Sequence, residues 1–225
     1  MNSIQWYEQH AATVISAYES LQAEDIHGWL TGLIPDRPSV VLDIGAGSGR
    51  DAAWLATLGH EVIAVEPAIA MREEGQRLHP NAKIRWIDDR LPALQYVHQF
   101  GMAFDFILLS AVWMHIPPAE RARAFRKLIT LLKPGGLLAI TLRHGAASAN
   151  REIYEVTWEE IERLAREHGA TIVRRVKERD RLSRVGVFWT HIAISLPDDG
   201  TGALSLLRHI ILNDSKSSTC DTPRR

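Results

Sequence analysis

Cysteine is nearly absent. The 225-residue chain has one, Cys220, in a polar tail, which excludes an intrachain disulfide and any zinc site of several thiolates. An excess of charge of one sign is also missing: 26 Lys and Arg stand against 27 Asp and Glu, a formal net charge of −1. No long-range field therefore draws the whole molecule to nucleic acid or to an anionic membrane. No apolar run approaches the ~20 residues that span a bilayer. The opening Met1-Asn2-Ser3-Ile4-Gln5-Trp6-Tyr7-Glu8 lacks the basic start and apolar stretch of a secretory leader. These absences lead to the expectation of a cytoplasmic protein with no metal and no membrane partner. Internal repeats and low-complexity tracts are missing as well. What is present, 46% hydrophobic and 24% charged residues, is the make-up of an ordinary globular domain with one core.

Up to Pro35 the apolar residues Trp6, Tyr7, Val14, Ile15, Tyr18, Leu21, Ile26, Trp29, Leu30 and Leu33 recur three or four apart, which predicts helices. Short β-branched runs then alternate with helical stretches. Strands are predicted at 40–44, 61–65, 83–87, 104–109 and 136–142, and helices at about 50–58, 68–78, 93–100 and 118–131. Strict alternation with short apolar strands implies a parallel, doubly wound sheet with right-handed crossovers. A further helix is expected at about 157–168, with Thr157 as N-cap, Glu160 completing a capping box and Gly169 as the stop. The segments 170–176 and 187–196 have no helix between them and should pair antiparallel. The expected organisation is an N-terminal helical cap over 1–36, an α/β domain over 37–196 with a seven-stranded, mainly parallel sheet and an antiparallel last strand, and a tail over 197–225. In that tail 203–212 reads as a helix and the last dozen residues as disordered. The apolar face of 203–212 leaves a homodimer open.

The run Asp43-Ile44-Gly45-Ala46-Gly47-Ser48-Gly49 sits where the first buried strand turns into a helix. Glycines there let a small ligand approach the backbone. In the dinucleotide fingerprint G-x-G-x-x-G the third glycine falls one place later, a position held here by Arg50. The second strand ends at Glu66-Pro67, seventeen residues past Gly49, where a carboxylate can accept from both hydroxyls of a ribose. The third strand ends Ile87-Asp88-Asp89-Arg90-Leu91-Pro92, and the fourth runs from Asp105 into Ser110-Ala111-Val112-Trp113-Met114-His115. Lys133-Pro134-Gly135-Gly136 precedes the fifth.

Together these five elements, over about residues 37 to 196, resemble the class I, Rossmann-like S-adenosylmethionine-dependent methyltransferases. The resemblance implies that Gly45, Ala46, Gly47 and Gly49 pass under the methionine part of the cofactor, with Asp43 organising the turn and helping to hold the cofactor's amino group. Glu66 and Pro67 would take the ribose. Asp88 or Asp89, with a slight preference for Asp88, would bond the adenine amino group while Ile87 packs on the ring. Ser110 and Ala111 would touch the methionine end. The product would be S-adenosylhomocysteine.

Acceptor contacts are expected from the least patterned pieces: Tyr7 and Tyr18, Trp113, and Arg143. His115 and His144 are the candidate general bases. An anionic, carboxylate-bearing small molecule is the preferred acceptor class. Enzymes that methylate nucleic-acid amino groups usually carry Asn or Asp, two prolines and an aromatic after strand four, which Ser110-Ala111-Val112-Trp113 does not match. The basic run Arg174, Arg175, Lys177, Arg179, Arg181 and Arg184 is interleaved with Glu178 and Asp180 and reads as a solvated hairpin. Two rival readings stand beside the methyltransferase: a nicotinamide-dependent oxidoreductase and a noncatalytic cofactor-binding module.

Overall fold

The computed structural model describes residues 2–80, 83–145 and 151–198. The expected helix at 203–212, the disordered tail and Cys220 lie outside the described residues.

Seven strands form one sheet in the order β3-β2-β1-β4-β5-β7-β6. They are β1 (Val40–Ile44), β2 (Glu61–Val65), β3 (Ile84–Ile87), β4 (Phe104–Leu109), β5 (Leu132–His144), β6 (Thr171–Arg179) and β7 (Phe188–Ser195). The first five are parallel, and β7 inserts antiparallel between β5 and β6. The expected seven-stranded, mainly parallel sheet with an antiparallel last strand is thus present. Strand order reverses between β1 and β4, which opens a crevice at their carboxyl ends.

The central strands are apolar throughout because both faces are covered. On β2, Ile63 and Val65 enter one core cluster and Val62 and Ala64 the other. Helices α5 (Gln95–Gln99), α6 (Pro118–Leu131) and α7 (Trp158–Glu167) contribute Val97, Phe125 and Leu164 to the first cluster. Helices α2 (Ala23–His27) and α3 (Arg50–Thr57), with a one-turn 3-10 helix Gly28–Leu30, cover the second. Helix α1 (Ser3–Glu19) packs on α4 (Ile69–Leu78) through a small third cluster built on Val14, Ile15, Ala68 and Met71. No helix among the described residues is long and apolar enough to cross a membrane.

Three local expectations change. Lys133-Pro134-Gly135-Gly136 does not end before the strand but rides within β5 as an excursion: Phe104 pairs with Leu132 and Phe106 already with Leu137. Gly135 takes the positive φ of 75° that this excursion requires. The capping box is half made. Thr157 accepts the Glu160 N–H at 3.2 Å, but the Glu160 carboxylate turns away to Arg121, at 2.8 Å. Finally, β6 runs on to Arg179, so the first three residues of the charged connection, Lys177, Glu178 and Arg179, are paired strand.

Candidate functional site

Two adjoining cavities, of about 130 and 160 Å³, lie at the carboxyl ends of β1, β4 and β5 and share Tyr7, Tyr18, Gly45, Gly47, Ser110, Ala111 and His115. One continues past the β2 end to Glu66, Pro67, Met71, Asp89 and Leu91. The other continues under the β6–β7 connection to Arg143, Arg151, Arg179 and Arg184.

The glycine turn is fastened to the strand-two acid. Glu66, only 7% exposed, accepts the Gly47 N–H and the Ala68 N–H, each at 2.8 Å. Burial pushes its carboxyl up to about 7, against the pull of those two bonds. Asp43 is buried below the turn and lines neither cavity. Burial, reinforced by Asp51, holds its carboxyl well above the usual range, and its Oδ2 has no hydrogen-bond partner. The Asp43 carboxyl's hydrogen bond goes to the Ala52 backbone in α3.

Gly49 corrects another expectation. It adopts a left-handed φ of 86° at the start of α3, and a Cβ there would lie 2.8 Å from the Trp86 ring. It lines neither cavity, so its role is to let the turn pack on Trp86. Ala46 does line the second cavity, with Gly45 and Gly47.

The two acids after β3 divide. Asp89 is buried and accepts four backbone N–H groups, from Arg90, Gln95, Tyr96 and Val97, at 2.7 to 3.1 Å. That carboxylate is fully occupied in starting α5, although it borders the cavity. Asp88 is 67% exposed, lines neither cavity and pairs with Arg72 at 3.2 Å. It is the acid with acceptor capacity to spare.

After β4, Ala111 takes a positive φ of 60°, rare for a residue with a Cβ, and donates its N–H to Thr141 Oγ1 at 2.7 Å. His115 lines both cavities. Burial, opposed only by a bond to the Glu152 carbonyl, pushes its imidazole down to about 4. Because that carbonyl can only accept, Nδ1, 3.1 Å away, carries the proton and Nε2 keeps a lone pair. Tyr7 stands edge-on to His115 with centroids 5.8 Å apart, and its hydroxyl lies 3.4 Å from that of Tyr18. The tyrosines are eleven residues apart, about three turns, and so share one face of α1.

Two expected site residues leave the site. Trp113 is fully buried, edge-on to Phe125, with its indole N–H directed to Glu160. It is a core residue because the 3-10 turn Trp113–His115 rotates its ring inward. His144 lies on the α7 side of β5, stacked on Phe188 and 2.9 Å from Thr190 Oγ1. The strand alternation that sends Arg143 into the cavity sends its neighbour to the other face.

Other residues had no signal in the sequence read alone. Ser48 donates to Glu19 at 2.5 Å and Arg50 Nη1 to the Tyr18 carbonyl at 3.1 Å, so the end of α1 is tied to the glycine turn. Glu8 accepts the Ile69 and Ala70 N–H groups and so caps α4. Burial opposes ionisation of Asp51, but His27 at 2.9 Å and Arg50 at 2.7 Å outweigh it and hold the carboxyl below its usual range. Arg151 and the hairpin residues Arg179, Asp180, Arg181 and Arg184 line the second cavity. The hairpin expected to be solvated instead borders the site.

The residues present suit S-adenosylmethionine. A buried carboxylate on the glycine turn provides ribose acceptors, Val65, Met71 and Leu91 provide an apolar bed for an adenine, and glycine backbone faces the adjoining cavity.

Residues 41–136 match the family model of the methyltransferase domain. Among curated proteins, the chain is 36% identical over 96 residues to a bifunctional biotin-biosynthesis protein of Cellvibrio japonicus, covering 43% of this chain and 18% of that one. It is 28% identical over 141 residues to an uncharacterized methyltransferase of Staphylococcus carnosus, covering 60% and 63%. The chain thus spans less than two thirds of the length of these relatives. Among solved structures, the 1,6-didemethyltoxoflavin-N1-methyltransferase of Burkholderia thailandensis is 25% identical with a TM-score of 0.57, over 84% of this chain and 90% of that one. A Synechocystis magnesium protoporphyrin IX methyltransferase with bound S-adenosylmethionine shares the fold at 18% identity, with a TM-score of 0.60 over 77% of each chain. Residues 41–136 thus match a methyltransferase-domain model, and the sheet order is that of the Rossmann-like methyltransferase fold.

Proposed function

We propose that the chain is an S-adenosylmethionine-dependent methyltransferase acting on a small-molecule acceptor. The observation that carries this reading is the Gly47 to Glu66 bond, which sets a ribose-binding carboxylate against a glycine turn at the topological switch point. S-adenosylmethionine supplies a methyl group already activated on a sulfonium. The protein's task is then alignment and exclusion of water.

Glu66 is assigned to the ribose hydroxyls and Asp88 to the adenine amino group. Gly45, Ala46, Gly47, Ser110 and Ala111 border the methionine end. Tyr7, Tyr18 and Arg143 are assigned to the acceptor, and His115 Nε2 is the candidate base for a proton lost from it. The cleft is lined by helices and the β6–β7 connection, which suits a small acceptor better than a nucleic acid. The 1,6-didemethyltoxoflavin bound by the Burkholderia thailandensis neighbour is of that size class.

The test is transfer of labelled methyl from S-adenosylmethionine across a panel of small hydroxyl- and amine-bearing acceptors, with release of S-adenosylhomocysteine followed in parallel. Label in a small acceptor, lost in Glu66→Ala, supports the proposal. Label found only in nucleic acid or protein refutes the acceptor class.

A further inference from the structure

Among the described residues, six arginines but only three carboxylates line the cavity that runs under the β6–β7 connection. Each carboxylate is already matched. Asp51 serves His27 and Arg50. Asp180 accepts from the Arg184 backbone and guanidinium at 2.6 to 2.9 Å and from the Trp189 indole at 2.9 Å. Glu178 lies 3.8 Å from Arg181 and 3.6 Å from His191. Among the described residues the wall therefore carries a surplus of positive charge, and Arg143 and Arg151 are close enough to repel each other.

Two features of these arginines are those of a binding wall rather than a solvated face. The Arg151 guanidinium lies over the Trp6 ring at 4.6 Å and the Tyr7 ring at 5.2 Å, and donates to the Tyr7 hydroxyl at 2.8 Å. Aromatic planes and a hydrogen bond thus fix its fork before any ligand arrives. Arg143 is pushed down first by burial and then by Arg184 and Arg151, a sign of the unbalanced local field.

We infer that this cavity selects an acceptor bearing an anionic group, a carboxylate or a phosphate, bound by Arg143 and Arg151 beside the Tyr7–Tyr18 pair. The inference rests on the methyltransferase reading and specifies its acceptor. A planar fork matches either oxyanion through two N–H bonds. An anion also offsets the sulfonium charge that the same cleft would hold, whereas an ammonium-bearing acceptor would add a further cation. With the anion at Arg143 and Arg151, the rest of the acceptor lies toward His115 and Ala111, which line the same cavity.

The experiment uses the full chain and matched probes: hydroxybenzoates and pyridine carboxylates, each beside its carboxamide, with phenyl phosphate as the second anion. S-adenosylhomocysteine binding to the wild type is measured first by calorimetry, which tests the cofactor reading separately. Probe affinities are then measured in its presence. The inference expects at least one acid or the phosphate to bind at least tenfold tighter than its neutral partner. It expects Arg143→Gln and Arg151→Gln to erase that preference while changing S-adenosylhomocysteine affinity less than threefold. Arg151→Lys keeps the charge without the fork and should retain part of the preference, guarding against a folding defect in the neutral variants. Carboxylate over phosphate, or the reverse, names the source of the anion. Absence of any acid-over-amide preference overturns the inference. An equal loss of S-adenosylhomocysteine affinity in the glutamine variants also overturns it, because the arginines would then serve the cofactor's own carboxylate.

Discussion

The Gly47 amide donates to Glu66 across nineteen residues of sequence, at 2.8 Å, joining the β1 turn to the end of β2. The bond couples the shape of the glycine turn to the ionisation of a buried carboxylate. Glu66 is raised from 4.5 to about 7, so the folded chain holds a proton there that the unfolded chain releases nearer 4.5. Stability from this group is therefore highest at acid pH and is lost as pH rises through about 4.5 to 7, by about 3 kcal/mol. Ribose hydroxyls are donors and favour the ionised form. S-adenosylhomocysteine affinity should fall up to about tenfold per unit below pH about 7, and Glu66→Gln should flatten that dependence. Calorimetry across pH 5 to 8 reads both.

Asp88 and Asp89, neighbours in sequence, should respond oppositely. Asp89→Ala removes the acceptor for four backbone N–H groups and should cost about 3 kcal/mol in denaturant unfolding. Asp88→Ala, at an exposed position, should leave the midpoint unchanged while weakening S-adenosylhomocysteine about tenfold if Asp88 bonds the adenine.

Trp113 should behave as core. Trp113→Ala is expected to cost about 3–5 kcal/mol, read by urea unfolding, with the denaturant slope unchanged.

His115, held down to about 4, is neutral through the physiological range. With S-adenosylmethionine saturating, kcat/KM for the acceptor should show no loss at the ordinary histidine value near 6.5 and should decline from His115 only toward about 4. If Nε2 is the base, His115→Ala should lower kcat by roughly 10² or more with S-adenosylhomocysteine affinity intact.

Local chemistry decided what the sequence made legible. The parallel core was readable because β1, β2 and β4 are short apolar runs buried on both faces, and the turn after β1 because glycine is favoured at the positive φ of Gly45 and Gly47. Glu66 was readable because its distance from the turn fixes its place at the next strand end. Trp113 was not, since periodicity does not say which way a one-turn 3-10 helix rotates a side chain. The choice between Arg143 and His144 depended on register across β5, set by its pairing with β7 fifty residues on. The hairpin arginines looked like a solvated face because strand alternation alone cannot show that Arg179 to Arg184 fold back over α1 and the β5 end.

The most direct test of the cofactor site is the thermal unfolding of the purified protein with S-adenosylmethionine, S-adenosylhomocysteine, NAD or NADP. Ligand at about 100 times its Kd stabilises the native state by about 2.7 kcal/mol. Tm should rise with the first two ligands and not with the nicotinamide nucleotides, and the rise should vanish in a folded Glu66→Ala variant. A rise with NAD or NADP alone would contradict the account.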